Sequence, residues 1–234
     1  MKLRRLFGQR WLSALTLLAF VFLILAPASA LPEGPTVIHG NIKVMTAGQL
    51  QQILQSSSQG IINWSSFGIG PNEIVRIIQP NSASVLLNRV TGMDPSLLQG
   101  MLQANGRIFL VNPNGILFGP NSKVDAGSFF ATTLGISDQD FLKGNYNFSQ
   151  NAQGQLAAIV NQGEIRVGDG GFIVLAAPLV HNDGLIVARQ GSVNLAATQQ
   201  ATLQLDPQGS FQVIVPDGFK PTFSDPVKNG SRKG

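Results

Sequence analysis

The sequence contains no cysteine, two histidines and one tyrosine, and only 12% of its residues are charged. Without cysteine no disulfide staples the fold, so a single buried core must carry it, which a chain of this size can supply. Cysteine-built zinc sites are excluded, and His39 and His181 have no metal-spaced histidine partner. No P-loop, dinucleotide fingerprint or Gly-x-Ser-x-Gly occurs, so no cofactor is expected. Long stretches of 3.6-residue amphipathic periodicity are missing as well, which argues against a helical fold.

What is present begins at the N-terminus. Lys2, Arg4, Arg5 and Arg10 precede an uncharged apolar run from Leu12 to Leu25, and Ala28-Ser29-Ala30 follows. These are the three parts of a secretory signal peptide. The run is short against the about 20 residues a membrane helix needs. Pro27 and the Ala-Ser-Ala box favour cleavage after Ala30 over an uncleaved anchor. The chain has 16 basic and 12 acidic residues, and residues 1–30 hold four of the basic ones, so residues 31–234 carry 12 of each and no net charge. The high isoelectric point therefore belongs to the signal segment and is no nucleic-acid footprint. Lys228, Arg232 and Lys233 lie in a Gly/Asn/Ser tail that reads as a solvated end.

Beyond Leu31 the chain alternates short β-prone runs with Gly- and Asn-rich turns. Ile74 to Ile78, Arg107 to Val111, Gly115 to Phe118 and Phe172 to Leu175 are examples. Two segments also fit short helices. Thr46 to Gln55 has Thr46 as N-cap, Gln49 at N3 and Leu50, Ile53 and Leu54 on one face, with an extended strand as its alternative. Asp94 to Leu98 reads as a helical turn with Pro95 at its first position.

Internal repeats decide the architecture. Asn161-Gln162-Gly163-Glu164-Ile165 matches Asn182-Asp183-Gly184-Leu185-Ile186 at a shift of 21, and Gly171 to Ala177 matches Gly191 to Ala197 at a shift of 20. Gly106-Arg107-Ile108-Phe109 matches Gly127-Ser128-Phe129-Phe130, again at 21. Coils of this length hold two or three short strands and stack about 4.8 Å apart in parallel. Apolar residues then form ladders up the core, and Gly and Asn recur at corners. An antiparallel sandwich also has short strands but gives no reason for identity at a fixed shift. The expected fold is all-β, a parallel β-helix. Residues 31 to about 60 are its N-terminal cap, residues 31–205 the β-helix domain, and residues 206–234 a last hairpin or coil and a flexible tail.

Residues 104–119 carry a resemblance. Ala104-Asn105-Gly106-Arg107-Ile108-Phe109-Leu110-Val111 leads into Asn112-Pro113-Asn114-Gly115-Ile116. Before it, Gln79-Pro80-Asn81 leads to Leu87-Asn88-Arg89-Val90-Thr91-Gly92, and after it Val124 to Gly127 leads to Ala131-Thr132-Thr133-Leu134. The segment resembles the filamentous-haemagglutinin N-terminal domain, the two-partner-secretion domain. A second Asn-Pro-Asn-Leu motif of many members is absent here.

The resemblance, over about residues 35–205, implies a right-handed parallel β-helix. It further implies Sec translocon export and recognition by the POTRA domains of an outer-membrane β-barrel transporter. Folding at the cell surface, in a Gram-negative type envelope, would follow. A host or surface carbohydrate or protein is a further partner class for such adhesins and haemagglutinins. A chain without cysteine suits passage unfolded through an oxidising compartment. The expected secretion motif is Asn112, Pro113, Asn114, Gly115 and Ile116, with Asn105, Gly106 and Asn88 in support. The residues also permit a stiff corner and nothing more: Asn112 is extended before proline, Pro113 fixes φ, and Asn114 and Gly115 both accept positive φ.

The rival reading is a β-helical polysaccharide lyase or hydrolase. It needs clustered acids, whereas Asp125, Glu164, Asp169, Asp183 and Asp206 are scattered singly. Asp138 and Asp140 read as capping or solvated loop residues, and Gly168-Asp169-Gly170-Gly171 as one tight turn. Trp64 and Phe67 read as packing residues before a sugar platform. The chain is expected not to be an enzyme.

Overall fold

The computed structural model describes residues 30–150, 157–205, 211–214 and 227–229. The expected signal peptide, apart from Ala30, and most of the expected tail lie outside the described residues. Two strands, β1 (Thr36–His39) and β2 (Ile42–Ala47), precede a first coil built from β3 (Leu50–Gln55) and β4 (Gln59–Trp64). The second coil has β5 (Ile74–Ile78), β6 (Val85–Val90) and β7 (Ser96–Leu98). The third has β8 (Met101–Ala104), β9 (Arg107–Val111) and β10 (Ile116–Phe118).

The fourth coil runs through β11 (Lys123–Ala126) and β12 (Ser128–Thr132). It then leaves the stack as helix α1 (Asp138–Lys143) and β13 (Tyr146–Ser149), and returns as β14 (Ala158–Asn161). β15 (Glu164–Val167), β16 (Phe172–Ala177) and β17 (Leu179–Asn182) make the fifth. β18 (Leu185–Ala188) and β19 (Ser192–Ala197) open the sixth. A second excursion, β20 (Gln200–Leu205) and β21 (Phe211–Ile214), precedes β22 (Val227–Asn229).

These strands stack into a parallel β-helix of about six turns. The pairing explains the sequence shifts. Asn161 lies on Asn182, Glu164 on Leu185, Arg107 on Ser128 and Phe172 on Ser192. In-register parallel stacking puts like on like, so one ladder reads Val75, Leu102, Val124, Ile165, Ile186. The first four are fully buried, and each such side chain contributes about 1.5–3 kcal/mol.

Antiparallel strands close the N-terminal end: β1 pairs with β4, and β2 with β3. The expected cap is therefore real but shorter, because coil geometry begins at Leu50. At the other end β18 and β19 are the last strands of their sheets. Ile186, Ala188 and Leu195 are only half-buried there, and Val193 is exposed.

The sheet strands β4, β6, β9, β12 and β16 are buried on both faces. Their inner face joins the core with Leu86, Ile108, Phe129 and Ile173. Their outer face carries Leu87, Phe109, Phe130 and Val174, which pack under the excursions with Phe141, Tyr146, Phe148, Ala201 and Leu203. Phe109 is the hub, with ring centroids 5.2 Å from Phe130, 5.4 Å from Phe141, 5.1 Å from Tyr146 and 6.3 Å from Phe148. Double-sided burial is why Phe172–Ala177 is buried at every position, without alternation. The covering layer is antiparallel, β13 against β20 and β20 against β21.

From the third coil to the sixth, one corner needs glycine for lack of space. A Cβ on Gly191 would sit 1.8 Å from the Gly171 carbonyl oxygen, one on Gly171 2.2 Å from that of Gly127, and one on Gly127 2.8 Å from that of Gly106. This column is what the Gly106/Gly127 and Gly171/Gly191 matches record.

Three local expectations are corrected. Thr46–Gln55 is no helix but the β2–β3 hairpin, turning at Gly48 with φ 57°. Its inward positions are Gln51, Ile53 and Gln55. The Gln51 amide donates to Pro32 O, and that of Gln55 to Ser57 O and Val85 O, so polar side chains stand where a strand would show apolar ones. The turn expected at Asp94–Leu98 gives way to strand β7, held by parallel pairing with β10. The Asp138 and Asp140 loop is helix α1. Ser137 is its N-cap, with Oγ accepting from Asp140 N–H at 3.1 Å, and Gly144 ends it at φ 74°.

Two measurements test this packing. Gly171→Ala inserts a methyl against backbone that cannot yield, and should cost about 1–3 kcal/mol in denaturant unfolding. Tyr146 is the only tyrosine of the sequence, and burial raises its phenol above the ordinary range, with the Arg107 guanidinium offsetting part of the rise. The folded state thus favours the neutral phenol. That contribution is present below the ordinary phenol range and is lost as pH rises through the folded value. Phenolate absorbance should appear at higher pH in the native protein than in denaturant.

Candidate functional site: the Asn-Pro-Asn-Gly corner

The corner is the turn from β9 into β10, which opens at Ile116. Asn112 N–H donates to Thr132 O of the next coil at 3.0 Å, and Gly115 N–H closes the turn on Asn112 O at 3.2 Å. Asn stands at the first position, Pro at the second and Gly at the fourth, as a type I turn prefers. Gly115 has φ 116°, whereas Asn114 is not left-handed: Gln190 is the only non-glycine residue with positive φ among the described residues. Of the two residues expected to accept positive φ, only the glycine uses it.

The side chain of Asn112 is fully buried. Its Nδ2 donates to Asp94 O at 3.0 Å and to Ser96 Oγ at 2.9 Å, both in the preceding coil. Its Oδ1 accepts from Asn114 N–H at 2.9 Å and from Asn114 Nδ2 at 3.1 Å. Asn114 Nδ2 also donates to Gly92 O at 2.8 Å, and Gly115 O accepts from Ser96 N–H at 3.0 Å. The two amides thus rivet one coil corner to the one below. Such buried polar groups must be satisfied, and here they are.

The three supporting residues lie on the same and the preceding coil, with different tasks. Asn105 sits at the corner between β8 and β9, where its amide both accepts from Gln79 N–H and donates to Gln79 O, at 2.8 Å each. Gly106 follows at the foot of the glycine column, where a Cβ would meet Gln79 Oε1 at 2.5 Å. Asn88 is inside the core, its Oδ1 accepting from Trp64 Nε1 at 3.1 Å.

Sequence reasoning missed Arg89. It donates to Ile136 O at 2.9 Å and Asn63 Oδ1 at 3.1 Å and pairs with Asp138 at 2.7 Å, tying the α1 excursion to the stack. No local motif marks it, since its partners lie 26 and 47 residues away. Between the corner and the excursion a groove of about 570 Å³ is lined by Arg89, Met93, Pro113, Asn114 and Ile136.

No group of three or more metal-ligating side chains occurs among the described residues. His181 Nε2 lies 2.5 Å from Asp183 Oδ2 on the surface. Gly168–Gly171 is a turn closed by Gly171 N–H on Gly168 O at 2.9 Å. Trp64 and Phe67 meet edge to face at 5.7 Å and are buried, which takes them out of reach of a sugar.

Comparison with known proteins fits this geometry. The family model of the TPS (two-partner) secretion domain matches residues 28–217. The crystal structure of the HMW1 secretion domain from Haemophilus influenzae superposes with a TM-score of 0.74 and 36% identity, over 79% of this chain and 48% of that one. A heme/hemopexin-binding protein of Haemophilus influenzae is 35% identical over 199 residues, covering 82% of this chain. The chain spans 22% of the length of that relative, and 13% of a second heme/hemopexin-binding protein at 31% identity. The family is one of secretion domains and not of enzymes, and its exoproteins cross the outer membrane. The chain belongs to the TPS secretion domain family.

Proposed function

We propose that this chain directs the export of an adhesin-type exoprotein, and that its transporter reads residues 112–116 before the β-helix closes. Residues 1–30 take the chain to the Sec translocon and are removed. Residues 31–205 are then bound by the POTRA domains of an outer-membrane β-barrel transporter and fold on the far side. Residues 206–234 form the last hairpin or coil and a tail. Adhesion to a host or surface carbohydrate or protein belongs to the whole exoprotein.

The burial of the Asn112 amide supports this reading. Once the corner forms, both its N–H groups and its oxygen are engaged within the protein. A partner that reads this side chain must therefore meet it in the extended chain. There Pro113 holds the segment stiff and Asn112 extended, a low-entropy ligand. Folding outside the cell, driven by the core ladders, then makes export one-way.

Two variants separate recognition from structure. Asn112→Ala removes both the transporter's target and the folded corner's bonds, whereas Ser96→Ala removes only a partner used in the fold. Each should cost about 1–3 kcal/mol in denaturant unfolding. Recognition predicts that export from cells carrying the cognate transporter fails for Asn112→Ala and persists for Ser96→Ala. Equal loss of export in both would reduce the motif to a corner. A separate variant, Ile173→Asp, places a charge in the core and should slow export while transporter binding in a pull-down stays intact; unchanged export kinetics would rule out folding as a driving force.

A further inference from the structure

Two corners of the third coil carry a reaction of their own. Asn-Gly occurs three times in the sequence, at 105–106, 114–115 and 229–230, and the first two pairs lie in the candidate site. In such a pair the glycine nitrogen, unshielded by any side chain, can reach the asparagine amide carbon. Asn112 cannot react in this way, because the nitrogen after it belongs to Pro113 and has no hydrogen to lose. One motif thus holds a labile asparagine and an inert one.

The folded corner disables the labile one. Gly115 is buried, and its N–H is engaged by Asn112 O at 3.2 Å. The Asn114 amide nitrogen, which would have to leave, donates to Gly92 O at 2.8 Å and to Asn112 Oδ1 at 3.1 Å. Asn114 N–H, on Asn112 Oδ1 at 2.9 Å, fixes the backbone before the reacting carbon. Asn105 is gripped in the same manner, by Gln79 N–H and Gln79 O at 2.8 Å each, with Gly106 buried behind it.

We infer that Asn114, with Asn105 beside it, is a deamidation site that is open in the unfolded chain and shut by closure of the corner. The Gly115 nitrogen gives up its proton and bonds to Asn114 Cγ, the side-chain nitrogen leaves as ammonia, and a cyclic imide remains. Water then adds to one imide carbonyl and the C–N bond there breaks. Opening on one side leaves aspartate at position 114, and on the other isoaspartate. Water and the chain are the only reactants. Neither product can rebuild the corner. A carboxylate oxygen in place of Nδ2 faces two oxygens, Gly92 O and Asn112 Oδ1, with no proton to share. Isoaspartate lengthens the backbone inside a turn that Gly115 N–H must close on Asn112 O. Delay before folding is therefore written irreversibly into the residues that lock the β9–β10 corner. Its bearing on export rests on the proposal that the chain meets its transporter unfolded; the chemistry does not.

The exported chain is held at mildly alkaline pH, folded or in denaturant, and sampled over time by peptide mass spectrometry. Deamidation at 114 and 105 should be at least about tenfold slower in the folded protein, where only the opened fraction reacts. Asn112 should stay intact in both. In denaturant, Gly115→Ala, whose methyl shields the nitrogen, should slow the reaction at 114 several-fold. Equal rates at 114 in folded and unfolded protein, or no reaction there in the unfolded one, overturn the inference; equal rates at 105 alone strike that site. Asn114→Asp should lower the denaturant midpoint, whereas Asn147→Asp should not, since the exposed Asn147 bonds through its oxygen, which accepts from Thr202 Oγ1 at 2.9 Å. An unchanged midpoint in Asn114→Asp overturns the damage to the corner. The rates in denaturant need no folded variant, so they decide the matter even where Asn114→Asp does not fold. No transporter takes part in these measurements, so their failure and a failure of the export reading are told apart.

Discussion

In-register parallel pairing is the constraint from which the rest follows. A coil bonds to the coils above and below it through its backbone, about 4.8 Å apart. That spacing fixes what each position can hold. It brings backbone against backbone at the column Gly106, Gly127, Gly171 and Gly191, where no side chain fits. It sets Val75, Leu102, Val124 and Ile165 in one ladder, where any polar member would lie unsatisfied among apolar neighbours. It also lets an asparagine amide reach the coil beside it, as Asn161 does to Asn182 at 2.7 Å and Asn112 to Ser96 at 2.9 Å. The corner motif is one instance of a rule that runs through the stack.

That rule is also what made the architecture legible. Stacking at a fixed shift writes itself into the chain as repeated residue types, and the matches of 161–165 with 182–186 and of 171–177 with 191–197 are true neighbours in space. Legibility stopped where the determining contact was distant and unrepeated. Gln51 and Gln55 point inward because Pro32 O and Val85 O lie there to bond them, and those partners are 19 and 30 residues off. Read locally, Leu50, Ile53 and Leu54 then fit a helix as well as a strand. Helix α1 has only six residues, too few for a periodic signal; in the structure Ser137 caps it and Gly144 ends it. The unbroken run Phe172–Ala177 carried the sign of a second covering layer, since alternation vanishes when both faces are buried.

The candidate site was legible as a turn and opaque as an environment. Asn-Pro-Asn-Gly announces a stiff corner by its residue types alone. That the Asn112 amide would be wholly consumed could not be read, because Asp94 and Ser96 stand a full coil earlier, 18 and 16 residues away. Arg89 was invisible for the same reason. Side chains that join coils obey a geometry the linear sequence does not display until the coil length is known.

The two ends of the stack differ in kind. Antiparallel strands seal the first coil, and a parallel ladder cannot be laid against them. Among the described residues the last coil instead ends in the parallel strands β18 and β19, with Ile186, Ala188 and Leu195 half-buried. Among the described residues the stack is thus polar, closed by antiparallel strands at its first coil and ending in parallel ones at its last. An edge of strands that run with the stack can template a further coil in register, whereas β1 and β2 run against that direction.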